Sequence, residues 1–208
     1  MDILRRADRL AAAAPDGEDS AGAELERLRA QVAVLESERA ALWWAIHHDE
    51  LTGLANRRLL NTVGPALLRE ATRYAVVVLD LNGFKPVNDH FGHAVGDEVL
   101  CTVGRRLSGC LVGDLAVRLS GDEFAAVLTE SSLGGAHHDF SALVGAIWQA
   151  VAQPMNIGGN RLAVTASIGV TTGTREPATM TELIRRADLA MYHAKSNRHC
   201  SYIAWDQL

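Results

Sequence analysis

The fold turns on the reading of Arg118-Leu119-Ser120-Gly121-Asp122-Glu123-Phe124. Apolar Leu115 to Leu119 leads in and apolar Phe124 to Leu128 leads out, so the stretch reads as a hairpin whose tight Ser-Gly turn carries two acids. Upstream, the apolar run Tyr74 to Leu79 closes on Asp80, the pattern of a buried strand with a carboxylate at its mouth. If the hairpin pairs beside that strand, Asp80 and Asp122 converge at one end of a sheet. Converging carboxylates repel unless a hard cation lies between them, and Mg²⁺ takes oxygen ligands together with substrate phosphates. The combination points to phosphoryl or nucleotidyl transfer on a nucleoside triphosphate.

Composition narrows the alternatives. A chain of 208 residues, 48% of them hydrophobic, can build one good core. A net charge of −5 argues against a nucleic-acid-binding surface. No apolar run approaches the ~20 residues that span a bilayer, so no membrane insertion is expected. Residues 1–10 mix Arg and Asp and lack an apolar signal core. Cys101, Cys110 and Cys200 have no metal-ligand spacing and read as reduced, mostly buried thiols of a cytoplasmic protein.

Three regions are expected. Residues 1–22 form a flexible segment, with Pro15-Asp16-Gly17-Glu18-Asp19-Ser20 as a helix breaker or linker. Residues 23–48 form a helix in which Leu25, Leu28, Val32, Leu35, Arg39, Leu42 and Ile46 alternate at spacings of three and four, a heptad seam with one charged interruption. Such a helix can pack on its own domain or pair in parallel as a dimeric coiled coil. The regular seam and charged flanks favour the coiled coil. Residues 49–208 read as one α/β domain with a mixed central sheet and helices on its faces. Helices are expected at Asn56–Arg69, Gly96–Leu107, Asp139–Ala152 and Thr179–Ala194. Beyond the hairpin, strands are expected at Tyr74–Leu81, Leu162–Val170 and Tyr202–Trp205.

Four separated motifs sharpen this reading: Asp49-Glu50-Leu51-Thr52-Gly53-Leu54-Ala55-Asn56-Arg57-Arg58; Asp80-Leu81-Asn82-Gly83-Phe84-Lys85-Pro86-Val87-Asn88-Asp89-His90-Phe91-Gly92-His93 running on to Gly96-Asp97; the Ser-Gly-Asp-Glu-Phe hairpin; and Ala187-Asp188-Leu189-Ala190-Met191-Tyr192-His193-Ala194-Lys195. In this order the chain, from Asp49 onward, resembles the diguanylate cyclase, or GGDEF, domain family. The resemblance implies a nucleotidyl-cyclase or palm-like fold and the conversion of two GTP into cyclic di-GMP and two pyrophosphates, dependent on Mg²⁺ or Mn²⁺. By position it implies metal ligation by Asp80, the Leu81 carbonyl, Asp122 and Glu123, with Asp122, Glu123 and Lys85 as the catalytic set. It implies phosphate contacts from Gly83, Phe84 and Lys195, guanine contacts from Asn88 and Asp97, and substrate contacts from Gly121 and His93. Carboxylate and amide groups at Asp97 and Asn88 suit guanine, and adenine would leave them unpaired.

The chain departs from the family pattern in three places. Ser120 replaces the first glycine of the signature; if that position needs a positive φ, serine costs about 1–2 kcal/mol. After Lys195 the chain runs Ser196-Asn197-Arg198-His199, which puts the arginine one place early, so a phosphate contact from Arg198 is doubtful. Leu111-Val112-Gly113-Asp114 stands where many members carry an Arg-x-x-Asp product-inhibition site, and without a guanidinium fork its bidentate grip is lost. One such domain binds one GTP, so synthesis of a cyclic dinucleotide needs a homodimer with facing sites, supported by the N-terminal helix. The alternative is a degenerate domain that binds GTP as a sensor or serves as a dimerising signalling module.

Overall fold

The computed structural model describes residues 16–111, 113–133, 139–174, 178–196 and 202–207. Its first element is a long helix, α1 (Asp16–His47). The helix starts ahead of the expected position, so residues 16–22 are helical rather than a linker. A proline just before a helix removes no intrahelical hydrogen bond, and acids are favoured at a helix N-terminus, so this composition suits a start as well as a break. The seam residues are exposed on the single chain: Leu25, Leu28, Val32, Leu35, Leu42 and Ile46. One charged pair on the helix, Glu26 to Arg29, closes at 2.8 Å. The helix and the body that begins at His47 are separate units.

The body is built on a six-stranded sheet of order β1-β3-β4-β2-β7-β8. Its strands are β1 (Ala55–Asn56), β2 (Arg73–Asn82), β3 (Leu115–Ser120), β4 (Glu123–Thr129), β7 (Thr165–Thr174) and β8 (Tyr202–Ala204). A separate hairpin pairs β5 (Met155–Ile157) with β6 (Asn160–Leu162). The edge pairs β1–β3 and β7–β8 are parallel and the central pairs antiparallel, which is the mixed sheet expected.

β2 is the central strand and is buried on both faces. Ala75, Val77, Leu79 and Leu81 pack against α3 (Phe84–Phe91), α4 (His93–Gly109) and α5 (Phe140–Ala152). Tyr74, Val76 and Val78 point to the other face, toward α2 (Arg57–Glu70) and α6 (Met180–Ser196). A strand buried twice must be apolar at every position, which is why its run stands out in the sequence.

Local chemistry sets the element ends. The Asn56 side chain caps α2 by accepting the Arg58 and Leu59 N–H groups at 2.9 and 3.1 Å. Helix α3 is an element beyond those expected from the sequence; glycine and proline ordinarily mark breaks, and this stretch holds Gly83, Pro86 and Gly92. Pro86 instead sits in the first turn of α3, where no N–H is needed, and the glycines lie at its two ends. The strand expected over Leu162–Val170 is two strands. β6 closes a hairpin on the positive-φ Gly158-Gly159 turn, and β7 continues to Thr174 because it pairs with β2 along its whole length. Cys101 and Cys110 are free and half-buried, and Cys200 lies outside the described residues. Among the described residues no helix is long and apolar enough to cross a membrane.

Gly169 permits the closest helix–sheet approach. A Cβ there would collide with the Ala187 carbonyl and the Met191 backbone of α6. Gly169→Ala is expected to destabilise the body by about 1–3 kcal/mol, read as a lowered urea midpoint.

Candidate active site

The antiparallel register of β2 and β4 runs from Tyr74 opposite Thr129 to Asp80 opposite Glu123. One step beyond, the Leu81 N–H donates to the Asp122 carbonyl at 3.3 Å. Asp80, Asp122 and Glu123 therefore stand together at one end of the sheet, as the strand pattern and hairpin implied. Gly121 and Asp122 form the two-residue turn, and the positive φ of 45° falls on Gly121. Ser120 ends β3 without a positive φ, so the condition under which serine would be strained there is not met. Its hydroxyl donates to Glu123 Oε2 at 2.9 Å.

Two residues without an assigned role in the sequence reading hold this hairpin. The Arg118 guanidinium donates to both Asp49 carboxylate oxygens at 2.9 and 3.1 Å, and to the Gly121 carbonyl at 2.8 and 3.0 Å. Asp49 also accepts the Thr52 N–H at 2.8 Å and its hydroxyl at 2.6 Å. Burial pushes the Asp49 carboxyl up, but the Thr52 and Arg118 donors outweigh it and hold the group below the usual carboxylate range. The Asp-x-x-Thr spacing is a signal for the side-chain-capped turn at Asp49, whereas no local pattern points to Arg118.

The other candidates flank the acids. Gly83, in the left-handed region at φ 82°, turns the chain from β2 into α3, whose first residues are Phe84 and Lys85. The Phe84 side chain is buried in the core and anchors that helix start, while Lys85 is exposed. Asn88 lies further along α3, and its Oδ1 is buried without a hydrogen-bond partner. It lies against Gly96 of α4, where a Cβ would overlap that same oxygen. His93 and Asp97 are exposed on the first turns of α4. From the opposite face, α6 brings Lys195 Nζ to 2.7 Å from Asp80 Oδ1. Arg198 and His199 lie outside the described residues.

Glu123 also borders a cleft of about 320 Å³ beside Arg57, Asn61, Arg185 and Asp188. Among the described residues no group of three or more His, Cys, Asp or Glu side chains is arranged to hold a metal by itself. The donor set at the sheet end is all hard oxygen and small in number. That suits a magnesium-type ion whose remaining positions are filled by water and phosphate oxygens.

The profile described as "Diguanylate cyclase, GGDEF domain" matches residues 46–200. Diguanylate cyclase TpbB of Pseudomonas aeruginosa is 35% identical over 185 residues, which cover 86% of this chain and 42% of TpbB. Signaling protein YkoW of Bacillus subtilis is 37% identical over 161 residues, 75% of this chain and 20% of YkoW. The chain thus spans less than half the length of either relative. The crystal structure of the TpbB GGDEF domain superposes with a TM-score of 0.63 at 33% identity, covering 70% of this chain and 92% of that one. The coiled coil and GGDEF domain of DgcB from Caulobacter crescentus, solved with c-di-GMP, superposes at 0.74 over 89% of this chain and 99% of that one; at 24% identity this likeness concerns the fold. On the match over residues 46–200, the chain belongs to the GGDEF domain family of diguanylate cyclases.

Proposed function

We propose that this chain, as a homodimer, converts two GTP into cyclic di-GMP. Each 3′-hydroxyl attacks the α-phosphorus of the nucleotide on the facing protomer, and each attack displaces one pyrophosphate and releases one proton. The observation that carries the reading is the alignment of Asp80 with Glu123 across β2 and β4, with Asp122 beside them and Lys195 Nζ 2.7 Å from Asp80.

Asp80, the Leu81 carbonyl, Asp122 and Glu123 are the residues that would hold Mg²⁺ or Mn²⁺. When bound, the metal supplies charge neutralisation for the triphosphate and a lowered pKa for the attacking hydroxyl. The protein's own groups do the rest. The amides at the start of α3, exposed by the turn at Gly83, bind phosphate oxygens, as does the backbone at Gly121. Lys85 neutralises charge that develops on the phosphates. Lys195 offsets the Asp80 charge in the free protein and exchanges it for a phosphate when nucleotide arrives. The unpaired Asn88 Oδ1 accepts a guanine donor, and Asp97 accepts from the N1–H and the exocyclic amine. His93 contacts the substrate from the same end of α4.

Product inhibition at the Leu111–Asp114 stretch is absent in this reading. Leu111 offers no fork, and Asp114 spends Oδ1 on the Thr129 N–H and hydroxyl at 3.0 and 2.9 Å.

Chromatography of products from GTP, and from GTP plus ATP, tests the proposal. Cyclic di-GMP is expected from GTP alone, and Asp122→Asn is expected to lower turnover at least ~100-fold with an unchanged melting temperature. A wild type that binds GTP without forming product would favour the GTP-sensor or dimerising-module reading, which Ser120 and the altered residues after Lys195 suggest.

Gly96→Ala is expected to displace the Asn88 amide and raise the KM for GTP about tenfold, with a smaller effect on kcat. Pairing of two α1 helices through the exposed seam would bring the two half-sites together. Leu35→Pro is expected to convert dimer to monomer in light scattering. It should cut turnover at least ~10-fold while single-site GTP binding persists; equal losses in both would count against the coiled coil.

A further inference from the structure

Three directly opposed residues form a row at the site end of the sheet: Ser120 on β3, Glu123 on β4 and Asp80 on β2. Like charges directly opposite on neighbouring strands repel, so each carboxylate needs a donor or a cation. Lys195 serves Asp80 at 2.7 Å. The Ser120 hydroxyl serves Glu123, donating to Oε2 at 2.9 Å.

Glu123 has somewhere else to go. Its side chain also borders the cleft that carries Arg57 and Arg185, and a glutamate with three free torsions could swing toward those guanidinium groups. Arg185 is engaged by Glu182 at 2.8 Å, whereas Arg57 forms no ion pair among the described residues. A donor on the adjacent strand, two residues of turn away, keeps the carboxylate at the sheet end. It occupies one oxygen and leaves Oε1 for another partner. A glycine at position 120 has no group to do this.

We infer that Ser120 is a positioning residue: its hydroxyl holds the Glu123 carboxylate at the mouth of the sheet, where the metal of the proposed reaction would bind. This rests on the proposed diguanylate cyclase reading.

The test compares wild type with Ser120→Ala, Ser120→Gly and Ser120→Thr. Mn²⁺ binding is read by electron paramagnetic resonance on the full chain saturated with a GTP analogue carrying a methylene bridge between the α and β phosphates. The Mg²⁺ concentration for half-maximal product formation is read separately. Loss of one such hydrogen bond corresponds to about three- to tenfold weaker Mn²⁺ binding in the Ala and Gly variants. Threonine, which keeps the hydroxyl and suits a strand end, is expected within about twofold of wild type. Melting temperatures should agree across the set, and in a Glu123→Gln background Ser120→Ala should no longer change Mn²⁺ binding.

Unchanged or tighter Mn²⁺ binding in Ser120→Ala and Ser120→Gly would overturn the inference, as would failure of threonine to rescue. If the wild type binds Mn²⁺ with the analogue and makes product while Ser120→Ala matches it, only this inference falls. If the wild type does neither, the proposed reaction falls with it.

Discussion

Everything at the site end of this domain follows from one awkward pairing, two carboxylates set opposite each other on adjacent strands. Asp80 and Glu123 are brought there by the register of β2 and β4, which the apolar contacts further along both strands enforce. Slipping the register by one residue would turn Val76, Val78, Ala125 and Val127 out of the core face they share with α2 and α6, so the acids cannot relax apart. The protein meets the repulsion with groups drawn from different elements: Lys195 from α6 and Ser120 from β3. A divalent cation with phosphate ligands, as in the proposed reaction, would answer the same need more strongly.

Arg118 contributes without touching that pair. Its guanidinium joins the turn at Gly121 to Asp49, at the start of the body, and so ties the position of the hairpin tip to the segment Asp49–Thr52. Because Asp49 is also pinned by Thr52, the clamp has little slack. Asp122 hangs from the turn that this clamp steadies.

Much of this was legible in the sequence, for physical reasons. β2 is apolar on both faces because it is covered on both, and that run is visible without coordinates. The hairpin announced itself through a tight glycine turn between two apolar runs, and the helical pattern from Asn56 onward marked α2. What stayed hidden depended on partners distant in the chain. Helix α3 was masked because glycine and proline mark breaks unless one knows they fall at a helix start. The Asp49–Arg118 clamp joins residues that share no local pattern. The orphaned Asn88 oxygen and its dependence on the missing side chain at Gly96 required the packing of α3 on α4. Lys195 was expected near phosphate, and its contact with Asp80 appears only once α6 is laid across the sheet.

Gly169 carries no chemistry, yet it sets how far α6 leans over β7. Its bare backbone meets Ala187 and Met191, and Lys195 follows Met191 by one helical turn. The depth of that notch therefore governs the reach of an ammonium group to a carboxylate on the neighbouring strand: a methyl group placed in it would act as a wedge beneath a lever, lifting the cation from its carboxylate without altering a single charged residue.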